Sequence, residues 1–216
     1  IWRHITLSGA AFAGARLFAK PPCADCFFRA VRIFMYVLAS ASPRRRELLK
    51  QILPDFAVVP AKGEEQVNLS LFPEQIACSL AERKCDEVFA LRPHDTVIGC
   101  DTIVVFDGEI LGKPKDAADA IHTLRKLSGK THYVITGVCV RRGDKKLVRY
   151  DRTEVPFNAL TDEFIHSYVS GGSPLDKAGS YGIQDEGVVK EYYGSYTNVV
   201  GLPVKLVKDM LESVCQ

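Results

Sequence analysis

The chain has 216 residues, with 28 lysines and arginines against 26 acidic residues, so its formal net charge at pH 7 is +2. A charge this small does not indicate a nucleic-acid-binding protein. No apolar run is long enough for a transmembrane helix, so no membrane association is expected. The seven cysteines follow no disulfide-like spacing, which favours a reducing compartment, and a cytoplasmic location is expected.

Residues 1–34 differ from the rest of the chain because they are basic and nearly free of acidic residues. Such a composition is typical of an organellar transit peptide, whereas the short, interrupted apolar stretches argue against a secretory signal. Cys23 and Cys26 have no second pair of ligands nearby, so a zinc site is not expected. We expect residues 1–34 to be an extension that is disordered, transit-like or mis-assigned, and residues 35–216 to form the folded domain.

The hydrophobic pattern predicts alternating strands and helices beyond residue 34. In chain order, these are strand 36–39, helix 43–53, strand 56–59, helix 73–90, strands 96–106 and 109–111, helix 116–127, strands 132–141 and 146–157, helix 161–169, strands 188–192 and 197–200, and a terminal helix from 203. Because the alternation lacks regular βαβ units, we expect an α/β fold with a mixed twisted sheet and flanking helices.

The segment LASASPRRRELL, residues 38–49, places three arginines at a predicted helix start. A helix N-terminus carries partial positive charge, so Arg44, Arg45 and Arg46 are each disfavoured there by about 0.3–1 kcal/mol. A bound polyanion would reverse this effect, since free N–H groups and arginines both bind phosphate. The segment is therefore either a phosphate site or a solvated basic turn.

Two charged residues interrupt apolar patterns. Asp101 lies inside the apolar strand 96–106, where burial of an unpaired carboxylate costs several kcal/mol. It is either a structural residue bonded to backbone amides, or a metal ligand or general base. Lys84 falls in the apolar stripe of helix 73–90. It either reaches solvent along its own stem or faces a cleft and meets a negative ligand.

The loop DKAGSYGIQDEG, residues 176–187, combines charged and small residues. Gly179 and Gly182 permit unusual backbone angles and close approach of a ligand. Gln184 has a donor and an acceptor, which suits the edge of a nucleobase, although an ordinary polar loop has the same composition. Cations for phosphates, carboxylates for a divalent metal and an amide for a base together suit a nucleotide phosphohydrolase.

Five ordered blocks resemble the Maf-like nucleoside triphosphate pyrophosphatases: LASASPRRRELL, GCDTIVVFDGEILGKP, LRKLSGKTHYVITGV, PLDKAGSYGIQ and GSYTNVVGLP. The resemblance runs from Met35 nearly to the C-terminus. It implies an α/β fold of the Maf/inosine triphosphatase-like type, with two lobes around a central cleft. It also implies hydrolysis of a nucleoside triphosphate to monophosphate and pyrophosphate with a divalent cation, Mg²⁺ or Mn²⁺, as house-cleaning of nucleotide pools, and a homodimer.

The same resemblance implies roles for individual residues. SPRR, DT and GIQ resemble the dTTP/UTP-type subgroup, in which the positions of Arg44, Thr102 and Gln184 are tied to base choice. Asp101 matches the catalytic proton acceptor of the family. Further positions match the family's substrate and phosphate contacts, namely Ser40, Arg45, Lys84, Lys113 and Lys177, and its metal ligands, namely Glu65 and Asp101.

Two alternatives to a dTTP/UTP pyrophosphatase stay open. The first keeps the chemistry but acts on another base, such as that of 7-methyl-GTP; Arg44 and Gln184 argue against it through the subgroup resemblance. The second is a non-catalytic nucleotide-sensing regulator of cell division. The complete set of acidic and cationic site residues disfavours this second alternative.

Overall fold

A computed structural model describes residues 35–63, 68 and 70–215. The predictions for residues 1–34 and for Glu65 lie outside the described residues. Within the described part of the chain, no helix is both long and apolar enough to cross a membrane.

The described residues form one mixed sheet with flanking helices. The strands are β1 (Tyr36–Leu38), β2 (Ala57–Val58), β3 (Thr96–Phe106), β4 (Glu109–Leu111), β5 (Thr131–Arg142) and β6 (Lys145–Pro156). The α-helices are α1 (Pro43–Lys50), α2 (Pro73–Leu91), α3 (Ala117–Leu127), α4 (Asp162–Ser170), α5 (Tyr196–Val200) and α6 (Val204–Cys215). The strand order is β2-β1-β3-β5-β6, with β4 paired to β3. β1 is parallel to β2 and β3, and the other pairs are antiparallel. The predicted α/β class is confirmed.

Three helices begin directly after a polar residue whose side chain caps them. Ser42, Asp116 and Thr161 each accept a hydrogen bond from the backbone N–H three residues later, at 3.5, 2.8 and 3.2 Å. Such an N-cap contributes about 1 kcal/mol, because it satisfies a backbone donor that has no partner within the helix. Helix α1 ends at Lys50, three residues before the predicted end.

The two strands predicted near the C-terminus are wrong. Residues 196–200 form helix α5, because the Ser195 hydroxyl accepts a hydrogen bond from Asn198 N at 3.2 Å and caps it. Residues 188–193 form only two isolated antiparallel bridges, Phe157 to Val189 and Glu154 to Tyr193. The β-branched composition of this region is overridden by the cap and by tertiary contacts.

Helix α2 lies directly against one face of the sheet at two glycines. A Cβ at Gly137 would lie 2.1 Å from the backbone oxygen of Ala77, and one at Gly99 would lie 2.4 Å from that of Ala81. The absence of a side chain therefore lets the backbone of α2 touch β3 and β5. Two apolar clusters pack on this face beside the contact, one around Val37, Val88 and Val97 and one around Ile76, Ile103 and Ile135.

The opposite face carries two apolar clusters separated by a polar strip. One cluster packs α1 and α6 against Ile98 and Cys100, and the other packs α3 and α4 against Val104. Thr102 and Thr136 lie between them, with their hydroxyl oxygens 2.9 Å apart. This strip divides the face into two apolar halves, and the candidate site lies beside it.

Replacement of Gly137 by alanine is expected to destabilise the protein by about 3 kcal/mol, because the new Cβ would overlap backbone atoms of α2. Urea unfolding followed by circular dichroism measures this loss. Gly112→Ala is the matched control, since a Cβ there meets nothing within 4 Å, and its effect should stay within about 0.5 kcal/mol. Equal unfolding free energies for the two variants would contradict the close contact between α2 and the sheet.

Candidate active site

The candidate site lies at a gap in the pairing of β3. On one edge of β3, β1 pairs with residues 96–98 and β4 pairs with residues 104–106. Among the described residues, no strand pairs with residues 99–103 on that edge, whereas β5 pairs with all of them on the other edge. Unpaired backbone N–H and C=O groups need partners, so this part of β3 is available to a ligand.

A cavity of about 440 Å³ opens at this gap, and a second cavity of about 350 Å³ adjoins it. The larger is lined by Asp101, Thr102, Lys177 and Gln184 together with apolar side chains. The smaller is lined by Ser40 and the start of α1. Both cavities share the lining residues Ser42, Arg44, Arg45, Lys84, Lys113 and Asp176. The structure thus brings together all the predicted site residues that it describes; Glu65 lies outside them.

The two charged residues that interrupted the apolar patterns are ion-paired with each other. Lys84 Nζ of α2 donates a hydrogen bond to Asp101 Oδ1 of β3. Both side chains are largely buried, with exposed fractions of 18% for Lys84 and 10% for Asp101. Removal of the Lys84 ammonium would take this partner from a largely buried carboxylate, at a cost of about 3–5 kcal/mol. The carboxylate of Asp101 is therefore held by a cation at the wall of the larger cavity.

Arg45 is a cation fixed by neutral acceptors. Its guanidinium donates from Nε to the Gly201 carbonyl at 2.9 Å, from Nη1 to Ser40 Oγ at 3.2 Å and from Nη2 to Thr102 Oγ1 at 3.0 Å. These bonds join the turn before α1, strand β3 and the loop before α6. None of the three acceptors carries a charge, so they do not cancel the positive charge that Arg45 brings to both cavities.

Asp176 lies between two cations at the cavities. It accepts hydrogen bonds from Arg44 Nη1 at 2.7 Å and from Lys177 Nζ at 2.9 Å. Partial burial alone would raise the pKa of Asp176, but the hydrogen bonds from Lys177 and Arg44 lower it to about 2. The carboxylate is thus ionised at neutral pH and links the start of α1 to the loop after α4. No sequence pattern indicated the pairing of Arg44 with Asp176, because these two residues are far apart in the chain.

The other members of the arginine triplet and the remaining predicted cation have different positions. Arg46 is exposed and lines neither cavity. Lys113 is exposed, follows β4 and lines both cavities. Lys177 Nζ also donates to the backbone carbonyl and the hydroxyl oxygen of Ser173. The triplet is therefore divided into two residues at the site and one at the solvent-exposed surface.

His132 does not line the larger cavity but contacts a residue that does. Its Nε2 is 2.8 Å from the hydroxyl oxygen of Tyr181, a buried residue that lines this cavity. The rings of His132, Phe157 and Tyr181 make edge-to-face contacts with one another, with centroids 4.7 to 5.2 Å apart. Burial lowers the pKa of His132 to about 3, so the ring is neutral at physiological pH. Sequence reasoning missed this residue, since a histidine in a strand has no distinguishing pattern.

Asp101 suits a divalent cation that is bound together with a substrate. Among the described residues, no group of three or more His, Cys, Asp or Glu side chains is placed to hold a metal ion. Mg²⁺ commonly binds through one or two carboxylates, several waters and the phosphates of a substrate. The Asp101 carboxylate, in the lining of a cavity that also contains cations, fits that requirement for the protein's share of the ligands.

The family of the chain follows from a comparison with known proteins. The family model described as Maf-like protein matches residues 35–214. The chain belongs to the Maf family. The resemblance drawn from the five sequence blocks is confirmed, and the cavities contain residues from several of those blocks.

Curated members of this family are similar over most of their length. The dTTP/UTP pyrophosphatase of Thermococcus gammatolerans is 46% identical over 180 residues, which cover 82% of this chain and 96% of that protein. The dTTP/UTP pyrophosphatase of Bacillus velezensis is 46% identical over 170 residues, or 78% of this chain and 90% of the relative. That of Bacillus cytotoxicus is 47% identical over 178 residues, or 81% and 93%.

Acidification is expected to destabilise the Maf fold of this chain through His132. In the unfolded chain this histidine binds a proton below about pH 6.5, whereas in the folded protein its pKa is about 3. Between these pH values the unfolded state therefore binds more protons than the folded state. As the pH is lowered, the free energy of unfolding falls by up to about 1.4 kcal/mol per pH unit because of this group.

Urea unfolding at pH 7.5 and pH 5.5 measures this loss in the wild type and in His132→Gln. The variant should lose about 1.4 kcal/mol less than the wild type over this interval. His122→Gln is the matched control, because His122 is an exposed histidine. Equal pH dependence in the wild type and His132→Gln would contradict the neutral, buried state of His132.

Proposed function

We propose that the protein hydrolyses dTTP and UTP between the α and β phosphates, releasing the monophosphate and pyrophosphate. The observation that carries this proposal is the cluster at the gap in β3, where the Asp101 carboxylate lines one cavity together with the cations Lys84 and Arg45. The names of the curated relatives support the substrate class. The same cavity is large enough to take part of a nucleotide.

The triphosphate is proposed to lie in the smaller cavity, against the turn that contains Ser40. The N-terminus of α1 offers backbone N–H groups there, and Arg45, Lys84 and Lys113 also line this cavity. Helix N-termini and arginines both favour phosphate oxygens. These positive groups would stabilise negative charge that builds up on the phosphates during the reaction.

The base is proposed to lie in the larger cavity. Apolar side chains such as Ile183 and Val199 line it together with Thr102 and Gln184. An apolar pocket with a few polar groups is the usual environment for a small-molecule ligand. The amide of Gln184 supplies one donor and one acceptor for the edge of a pyrimidine, which supports its proposed role in base choice together with Arg44 and Thr102.

Asp101 is proposed to accept the proton of the attacking water. Its carboxylate lines the cavity and is held in place by Lys84, so one oxygen has a fixed direction. A divalent cation, Mg²⁺ or Mn²⁺, would be held by Asp101 and by Glu65, and when bound it would neutralise charge on the phosphates. The ion pair with Lys84 positions Asp101 before the substrate arrives.

Pyrophosphate release over a nucleotide panel tests the proposed substrate. With Mg²⁺ or Mn²⁺, dTTP and UTP should be hydrolysed faster than dCTP, GTP and 7-methyl-GTP. Fastest release from 7-methyl-GTP would assign the protein to another base. Binding of nucleotides without release of pyrophosphate from any of them would instead support a nucleotide sensor and refute the proposal.

Asp101→Asn is expected to lower kcat for dTTP by about 10³-fold, because the amide has the same shape but cannot accept the proton. Nucleotide affinity, measured by calorimetry, should change far less. Asp95→Asn is the matched control, since Asp95 is also buried and ion-paired, with Arg92 at 2.7 Å, and does not line either cavity. An Asp101→Asn protein with near-normal turnover would remove Asp101 from the proposed mechanism.

A further inference from the structure

Gln184 lies in a tight turn whose shape determines where its amide points. The backbone N–H of Asp185 donates to the carbonyl of Gly182 at 3.0 Å. A Cβ at Gly182 would lie 2.6 Å from Gln184 Nε2, so the amide of Gln184 folds back against the glycine. Gln184 lines the larger cavity, so any movement of this turn moves its amide relative to that cavity.

A tyrosine of α4 holds both ends of this turn from outside the cavity. The Tyr168 hydroxyl oxygen accepts a hydrogen bond from Gly182 N at 3.1 Å, and the same hydroxyl donates to Asp185 Oδ2. Ser173 Oγ donates to the same carboxylate oxygen at 3.0 Å. Tyr168 does not line either cavity, so it acts on a ligand only through the turn.

The hydroxyl of Tyr168 is well suited to this double contact. Burial and the hydrogen bond to Asp185 raise its pKa above the usual range, so it keeps its proton and donates to the carboxylate. Its lone pairs stay available to the Gly182 N–H. The ring of Tyr168 stacks on that of Phe164, with centroids 6.0 Å apart, which fixes the hydroxyl relative to α4.

We infer that Tyr168 is a positioning residue for base selection, because its hydroxyl holds the turn that presents Gln184 to the nucleotide. This inference rests on the proposed function, in which Gln184 contacts the base. A polar group that discriminates between bases must be held in a narrow range of positions, and a displacement of about 1 Å costs most of its effect. Asp185 and Ser173 complete the support on the far side of the turn.

The test is the variant Tyr168→Phe, which keeps the stacked ring and removes only the hydroxyl. With dTTP, KM should rise about tenfold while kcat stays within about twofold, because Asp101 and the cations at the phosphates are untouched. The ratio of kcat/KM for dTTP to that for dCTP should fall about tenfold. A general loss of structure would lower kcat for both nucleotides equally and leave this ratio unchanged.

Two further variants make the test specific. Tyr150→Phe removes the hydroxyl of an exposed tyrosine in β6 and should leave both constants unchanged. Combining Tyr168→Phe with Gln184→Ala should lower the dTTP/dCTP ratio no further than Gln184→Ala alone, because Tyr168 acts through Gln184. Additive losses in the double variant, or a wild-type ratio in Tyr168→Phe, would overturn the inference. If Tyr168→Phe does not fold, Asp185→Asn should shift the ratio in the same direction.

Failure of the proposed function gives a different result. In that case the wild type releases no pyrophosphate from any nucleotide, whatever the state of Tyr168. Calorimetric affinities for dTTP and dCTP then replace the kinetic constants in the same comparison. An equal affinity ratio in the wild type and Tyr168→Phe would overturn the positioning role independently of turnover.

Discussion

The backbone contact between α2 and the sheet determines where the charged groups of the site meet. Because α2 touches β3 at Gly99 and β5 at Gly137, these two contacts fix the position of the helix on the sheet. Lys84 lies between Ala81 and Cys85, the two residues of α2 that approach Gly99, and this packing brings its ammonium to Asp101. A side chain at either glycine would move α2 outward and separate the ion pair, so packing and chemistry depend on the same two positions.

The shortness of two strands creates the space for a ligand. β1 and β4 have three residues each, and together they cover only the two ends of one edge of β3. An exposed strand edge invites pairing with another chain, but here the edge lies at the bottom of a cavity lined by Arg45, Lys113 and apolar side chains. Interrupted pairing therefore leaves the middle of this edge of β3 in the lining of the cavity.

The sequence predicted the long strands and helices well, because their periodicity extends over many residues. It failed at residues 196–200, where a short β-branched run is made helical by the Ser195 cap and by bonds from Asn198 to distant backbone and side-chain atoms. Asp101 and Lys84 each broke a local pattern, but their pairing depends on how α2 sits on the sheet. Tyr168 fits the apolar face of its helix and broke no pattern, and the roles of all site residues stay predictions.

The bridge from Asp176 to Arg44 and Lys177 gives the site an anion from the chain itself. This carboxylate compensates the unfavourable position of Arg44 at a helix N-terminus, using a residue from a distant loop. A triphosphate that binds to these cations would therefore displace the Asp176 carboxylate as well as water and mobile counterions. The salt dependence of nucleotide binding should then be shallower than the number of cations around the cavities implies, since part of their charge is already matched within the chain.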